Sequence, residues 1–274
     1  VGRTGVLTPV AHLAPTAVAG TIVARATLHN EDFIQEKDIR IGDTVIMQKA
    51  GDIIPEIVQV LPEFRTGKEK KWKFPTTSPL CGGDGSIERV PGTSARRCMV
   101  AGSFDQQLRK LAYFAGKNAL DIEGLGAKTV QLLMEHELVA NPDDFFDLTR
   151  DELLKLPGFK EKSATNLIES LEQKKSISLD RLLVGLSIPH VGEETARLLA
   201  IHFGTLAKLR DARREDFSDI HGIGDIVADA VSEWFENTEN RMLIERLGQH
   251  LSVSVVTKER GSGVLEGVSV VITG

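Results

Sequence analysis

A five-residue string of the form apolar-x-Gly-apolar-Gly returns four times in this chain, and it constrains the fold more than any other feature. The copies are Ile122-Glu123-Gly124-Leu125-Gly126, Leu156-Pro157-Gly158-Phe159-Lys160, Ile188-Pro189-His190-Val191-Gly192 and Ile220-His221-Gly222-Ile223-Gly224. They recur at roughly 30–35 residues, the period of a stacked supersecondary unit. Each is followed by an amphipathic stretch that predicts a helix, over 127–136, 161–173, 193–203 and 225–235. The glycines permit positive φ and close backbone approach, and the central apolar residue pins the turn to a core. The unbonded N–H groups at the start of the following helix then form a phosphate site. A single such turn reads as a helix C-cap and no more; four at one spacing predict helix-hairpin-helix units that grip duplex backbone without reading bases. The candidate residues are Gly124, Gly126 and Lys128 in the first copy and Gly158, Lys160 and Lys162 in the second. In the third it is Gly192, and in the fourth Gly222 and Gly224. Two copies depart from the pattern. Lys160 replaces a glycine and reads either as a phosphate-binding charge or as a surface lysine; His190 replaces another and reads as a packed turn residue.

The rest of the chain has a different texture. Residues 18–28, 44–47 and 57–61 are rich in β-branched and apolar side chains and are separated by Gly42-Asp43 and Gly51-Asp52, which predicts a small barrel. From 62 to 107 Pro, Thr, Gly and Lys dominate, and both cysteines, Cys81 and Cys98, lie there. Within it Lys68, Lys70, Lys71 and Lys73 surround Trp72. They read either as a steering patch with an aromatic platform or, with Glu63 and Glu69 interrupting the charge, as a solvated linker. The predicted organisation is multidomain: a barrel with linker over 1–73, a zinc-finger-like module over 74–107, an all-α domain of four hairpins over 108–258, and a linker with one opening strand over 259–274.

The 274 residues are 41% hydrophobic and 26% charged, with 25 Gly and 10 Pro. That composition excludes disordered, collagen-like and disulfide-scaffold classes. No stretch approaches the roughly 20 apolar residues of a membrane span, and no charged-then-apolar leader is present, so the expectation is a cytoplasmic protein without a membrane partner. A net charge of −6 does not oppose DNA binding through backbone N–H groups, which carry no formal charge. The first residue, Val1, and the strand-like ending Val270-Val271-Ile272-Thr273-Gly274 are expected of a piece cut from a longer polypeptide.

Several long strings carry a resemblance. They are Val1-Gly2-Arg3-Thr4-Gly5, Thr8-Pro9-Val10-Ala11, Arg25-Ala26-Thr27-Leu28-His29-Asn30, Asp38-Ile39-Arg40-Ile41-Gly42-Asp43-Thr44-Val45 and Ala50-Gly51-Asp52-Ile53-Ile54-Pro55-Glu56. With Asp121-Ile122-Glu123-Gly124-Leu125-Gly126 and His190-Val191-Gly192-Glu193, the chain resembles the bacterial NAD-dependent DNA ligases from their oligonucleotide-binding (OB) barrel onward; residues 265–274 resemble the first strand of the family's BRCT domain. The resemblance implies that Arg3, with Thr4, lies at the minor groove near a nick, and that Ile53 and Ile54 press on the duplex there. Ile53 and Ile54 also read as ordinary barrel core. Lys49 stands where many relatives carry arginine, and Arg25, His29 and Asn30 are implied to face DNA backbone or the adenylation domain; Arg25 also reads as a strand-surface charge. NAD and Mg²⁺ are implied for the intact enzyme, bound mainly outside these residues. The family's Lys-x-Asp-Gly nucleophile motif does not occur here, so no self-adenylation is expected.

The family's module between barrel and hairpins carries four cysteines. Here two of those positions are Ser78 and Ser103, beside Cys81 and Cys98. Neutral hydroxyls replace thiolates poorly at a structural zinc site, so the expectation is a module without zinc, held by packing or by a Cys81–Cys98 contact. The functional expectation is the DNA-engaging part of a nick-sealing ligase, acting as a monomer with an upstream adenylation domain. The alternative is a non-enzymatic, structure-specific hairpin scaffold. A hairpin glycosylase would leave the barrel strings unexplained.

Overall fold

Glycine turns and alternating apolar residues build the first half as short paired strands: β1 (Val6–Leu7), β2 (Val10–Val18), β3 (Thr21–Thr27), β4 (Arg40–Ile41), β5 (Val45–Ala50), β6 (Ile54–Val60) and β7 (Lys70–Lys71). The computed structural model describes residues 1–18, 20–50, 54–100, 102–217 and 220–256. Four strands form a curled sheet in the order β2-β3-β6-β5, and β4 pairs with β7. The sheet encloses Ala26, Leu28, Ile34 and Ile57, with Leu13, Val45, Met47 and Trp72 packed around them. Helix α1 (Glu31–Glu36) starts where the Asn30 side chain accepts the Phe33 N–H at 2.9 Å. Trp72 is therefore partly buried against this core. The lysine run is also no free linker: Lys70 and Lys71 pair with Ile41 and Arg40.

Next come a short 3₁₀ turn, Pro79–Cys81, and two strands, β8 (Ile87–Arg89) and β9 (Arg96–Cys98). β9 sits between β8 and β1, with Cys98 opposite Ile87 and Arg97 opposite Val6. Cys81 and Cys98 form a disulfide. Of the two ways of holding this module left open by the sequence, the covalent contact is present, inside a small core with Ile87, Val1, Leu7 and Phe74. A zinc ion does not fit these residues. Both sulfurs are spent in the disulfide, so neither is a thiolate, and the Ser78 and Ser103 hydroxyls hydrogen-bond to the Leu80 N–H and carbonyl respectively. The two sulfurs left of the family's four are bonded to each other.

The helical half contains α2 (Phe104–Ala115), α3 (Ala127–Glu135), α4 (Arg150–Leu153), α5 (Glu161–Gln173), α6 (Leu179–Gly185), α7 (Glu193–Phe203), α8 (Leu206–Arg210), α9 (Asp225–Glu236) and α10 (Thr238–His250). Contacts divide the chain into units Val1–Lys110 and Leu111–Gly274. In the second unit Leu111, Phe114, Leu133, Phe145, Leu182 and Leu199 are almost wholly buried, on the faces that the 3.6-residue period predicts. Gly185 is required by this packing: a Cβ there would lie 3.0 Å from the Phe114 ring and 3.1 Å from Ala119. The strand-like 252–256 segment contributes β11 (Ser252–Ser254), and its partner is β10 (Ser176–Ser178), in parallel register. The expected opening strand over 259–274 lies outside the described residues.

Candidate nucleic-acid interface

Each repeated string folds into the same turn. The N–H of Leu125, Phe159, Val191 and Ile223 donates to the carbonyl three residues earlier, on Ile122, Leu156, Ile188 and Ile220, at 3.0 to 3.3 Å. Those four carbonyl residues are buried and anchor the turn to the core. The third turn position has positive φ in all four copies: 92° at Gly124, 86° at Gly158, 62° at His190 and 93° at Gly222. This is the type II turn, in which glycine is favoured at that position. His190 is exposed in this left-handed conformation, which corrects the reading of it as a packed residue. Holding a non-glycine side chain there costs about 1–2 kcal/mol.

The last residue of each string, Gly126, Lys160, Gly192 and Gly224, is the N-cap of α3, α5, α7 and α9. Glycine offers no side chain to cap the helix, so the first-turn N–H groups face solvent from an exposed start. At the second hairpin the Lys160 N–H donates to Ser163 Oγ at 2.9 Å.

Charge separates the hairpins into two pairs. α3 begins Ala127-Lys128, and α5 carries exposed Lys160 at its N-cap and exposed Lys162 in its first turn. α7 instead begins Glu193-Glu194, with Asn118 donating to Glu193 at 2.6 Å. α9 begins with Asp225, held by Arg214 at 2.9 Å, and the same guanidinium reaches Asp229. Carboxylates in the first turn already occupy the positive end of the helix dipole, so the later pair offers an incoming phosphate a less favourable field. These acidic residues were readable in the sequence, yet attention to the glycines alone passes over them.

On the barrel, Arg25 and Lys49 line an open cleft of about 530 Å³ together with Thr21, Ile22 and Pro55. Ile22 is 77% exposed and Ile54 58%, so both stand outward, as Ile41 and Phe64 also do on this unit. Ile54 is therefore not barrel core, and Ile53 lies outside the described residues. Arg25 is exposed on β3 opposite His12. His29 has φ of 55° and stands 3.7 Å from Glu56 and edge-on to Phe33. Arg3 and exposed Thr4 occupy the turn before β1, closed by the Gly2 N–H on the Val6 carbonyl at 2.7 Å.

Residues 1–69 match the family model of the NAD-dependent DNA ligase OB-fold domain. Residues 117–173 match the SAM-like helix-hairpin-helix tandem and residues 181–244 the helix-hairpin-helix motif. Proteins named DNA ligase are similar over nearly all of the chain. That of Anoxybacillus flavithermus is 49% identical over 247 residues, 90% of this chain and 36% of its own length. Those of Symbiobacterium thermophilum and Bacillus licheniformis are 43% and 44% identical over the whole chain, which covers 41% and 42% of them. Along its whole length the chain is similar to bacterial DNA ligases. It spans about two fifths of the length of the curated relatives it matches.

Within this chain the structure gathers Arg25 and Lys49 in one cleft and repeats the hairpin turn four times. Sequence reasoning missed Ile22, and no alternation marks it, since exposed Ile22 and Arg25 and buried Val23 and Ala26 do not follow a two-residue period along β3. It also missed Arg214, which has no motif. Among the described residues no group of three or more His, Cys, Asp or Glu is gathered for a metal, and no helix is long and apolar enough to cross a membrane.

Proposed function

We propose that this chain is the DNA-engaging part of an NAD-dependent ligase that seals breaks bearing a 5′-phosphate and a 3′-hydroxyl in duplex DNA. The observation that carries this reading is the fourfold recurrence of a type II turn leading into a glycine- or lysine-capped helix, on a chain that also holds the family's OB barrel. Gly124, Gly126, Gly158, Gly192, Gly222 and Gly224 present helix N–H groups to phosphates, and Lys128, Lys160 and Lys162 add charge at the first two hairpins. In this reading Arg3, Thr4 and Lys49 meet the DNA near the nick, Arg25 and His29 face its backbone or the adenylation domain, and Ile54, with Ile53 by the family resemblance, presses on the duplex. Held this way, the duplex bends at the nick and its two ends come into line for attack.

The working division is a barrel with linker to 73, the disulfide module over 74–107, the hairpin domain over 108–258, and a BRCT start beyond it. The chain works as a cytoplasmic monomer with an adenylation domain. NAD supplies the adenylyl group when bound there, and Mg²⁺ is bound mainly there as well; the Lys-x-Asp-Gly string does not occur in this chain.

The test joins this chain to a ligase adenylation domain and follows sealing of a nicked duplex. Sealing with NAD and not ATP is expected, and Arg3→Ala lowers sealing while leaving self-adenylation intact. Tight binding with no sealing would instead favour the scaffold reading, and equal loss of both steps would refute the role of Arg3.

A further inference from the structure

We propose that the Cys81–Cys98 disulfide positions the turn carrying Arg3 and Thr4, making the grip of the barrel on DNA dependent on the oxidation state of this one bond. The inference rests on the DNA reading above and assigns a role to a module that reading leaves idle.

Both half-cystines are buried, with Cys81 fully enclosed and Cys98 4% exposed. From Cys98 the backbone N–H donates to the Gly5 carbonyl at 3.0 Å, and β9 continues the ladder with Arg97 and Arg96 opposite Val6 and Leu7. Gly5 is buried, has φ of 79°, and a Cβ on it would meet the Gln106 amide at 3.2 Å and Arg97 Cγ at 3.5 Å. Val1 and Leu7 pack on the disulfide cluster itself. The turn that carries Arg3 is therefore seated at both ends on residues the disulfide holds.

The other sulfur is fixed as firmly. Cys81 ends a 3₁₀ turn in which its N–H donates to the Ser78 carbonyl at 3.0 Å. The Leu80 N–H donates to Ser78 Oγ, and Ser103 Oγ donates to the Leu80 carbonyl at 2.9 Å. Ser103 Oγ also accepts the Gln106 N–H, and Gln106 is the residue against which Gly5 packs. One covalent bond spanning 17 residues of sequence and two serine hydroxyls thus form a closed frame around Leu80 and Cys81. Opening the bond leaves the frame to a few hydrogen bonds in a module with few apolar side chains, and the ladder that seats Gly5 loosens with it.

The bond opens by exchange with a dithiol. Dithiothreitol gives up two electrons and two protons and closes to its own cyclic disulfide, while the Sγ–Sγ bond becomes two thiols. The experiment compares binding of the full 274-residue chain to a nicked duplex, by fluorescence anisotropy, before and after dithiothreitol, with thiol titration to verify opening. Reduction is expected to weaken binding about tenfold, the loss of one charge-assisted contact. Cys81→Ala/Cys98→Ala is expected to bind like the reduced parent and to ignore dithiothreitol. In Arg3→Ala, already weak, reduction changes nothing further. A reductant effect as large in Arg3→Ala as in the parent, or none in a parent whose bond has opened, overturns the proposal. Hydrogen exchange reads the frame without DNA: the Cys98 amide is protected in the disulfide form and exchanges faster after reduction, and unchanged exchange also overturns it. If oxidised Arg3→Ala binds as tightly as the parent while the amide responds as expected, the failure lies in the reading of Arg3 as a DNA contact, and the link to DNA falls with it.

Discussion

Ala127→Pro is expected to weaken binding to duplex DNA about tenfold while leaving the helical unit folded. Ala127 is the first residue of α3, behind the N-cap Gly126, and it is exposed. Proline is favoured at this helix position, because the N–H it lacks makes no intrahelical bond. The preceding residue must be extended, and Gly126 already is, at φ −71° and ψ 166°. The substitution therefore deletes one N–H from the proposed phosphate site and little else. A neutral donor meeting a charged acceptor contributes about 1.5–3 kcal/mol, which corresponds to a tenfold change or more. The melting temperature should stay level or rise, since proline restricts the unfolded chain. Glu193→Pro, at the same position of α7, should cost much less affinity, because Glu193 and Glu194 already fill the dipole end there. Anisotropy titrations of both variants, with thermal melts, decide the matter; equal losses would erase the distinction between the hairpin pairs.

Asp43→Ala is expected to destabilise the barrel by about 2–3 kcal/mol, the worth of hydrogen bonds to a charged group left unmade. The Asp43 side chain is 1% exposed and accepts from Arg65 Nε at 2.7 Å, Arg65 Nη2 at 2.9 Å and the Arg40 N–H at 2.7 Å. Arg65 also donates to Asp38, so one guanidinium ties the turn before β5 to the segment after β6. The same contacts set an acid limit. Hydrogen bonds from Arg40 and Arg65 hold Asp38 at about 2, and the Arg65 hydrogen bond lowers Asp43 below its usual range. Both folded values lie below the ordinary carboxylate value of 3.8. Their contribution is therefore complete above about pH 4 and is lost as the pH falls below that through the depressed folded values. Asp38 is solvent-exposed and screened, so buried Asp43 carries most of the effect. Urea unfolding of the barrel between pH 5 and pH 2 should show a steep loss in the parent that is blunted in Asp43→Ala. An unchanged acid dependence would contradict this assignment.

The hairpins were legible in the sequence because a positive-φ turn position selects glycine and an N-cap between an anchored turn and a helix leaves a fixed spacing. His190 was legible only as an exception, since the energy holding it in the left-handed region comes from a turn that three other copies define. Pairings across long stretches left no local mark. Asp43 and Arg65 lie 22 residues apart, and β10 meets β11 over 76 positions, with Ser176 opposite Ser252. The cysteines were legible as a pair, but whether they touch depends on how β8 and β9 fold together. The lysines around Trp72 carried no sign of their environment until β7 was seen paired with β4. Ile54 had two readings because alternation next to Pro55 does not say which face of β6 is inward.

The central claim is that the first two hairpins hold phosphates through helix starts and Lys128, Lys160 and Lys162. It is tested most directly by the salt dependence of nicked-duplex binding by the whole chain, parent against Lys128→Ala/Lys160→Ala/Lys162→Ala. The parent should lose affinity steeply and linearly in log–log form, and the triple variant should flatten that slope by about 3, close to one for each phosphate contact removed. A slope that is shallow in the parent, or identical in the two proteins, would contradict the account.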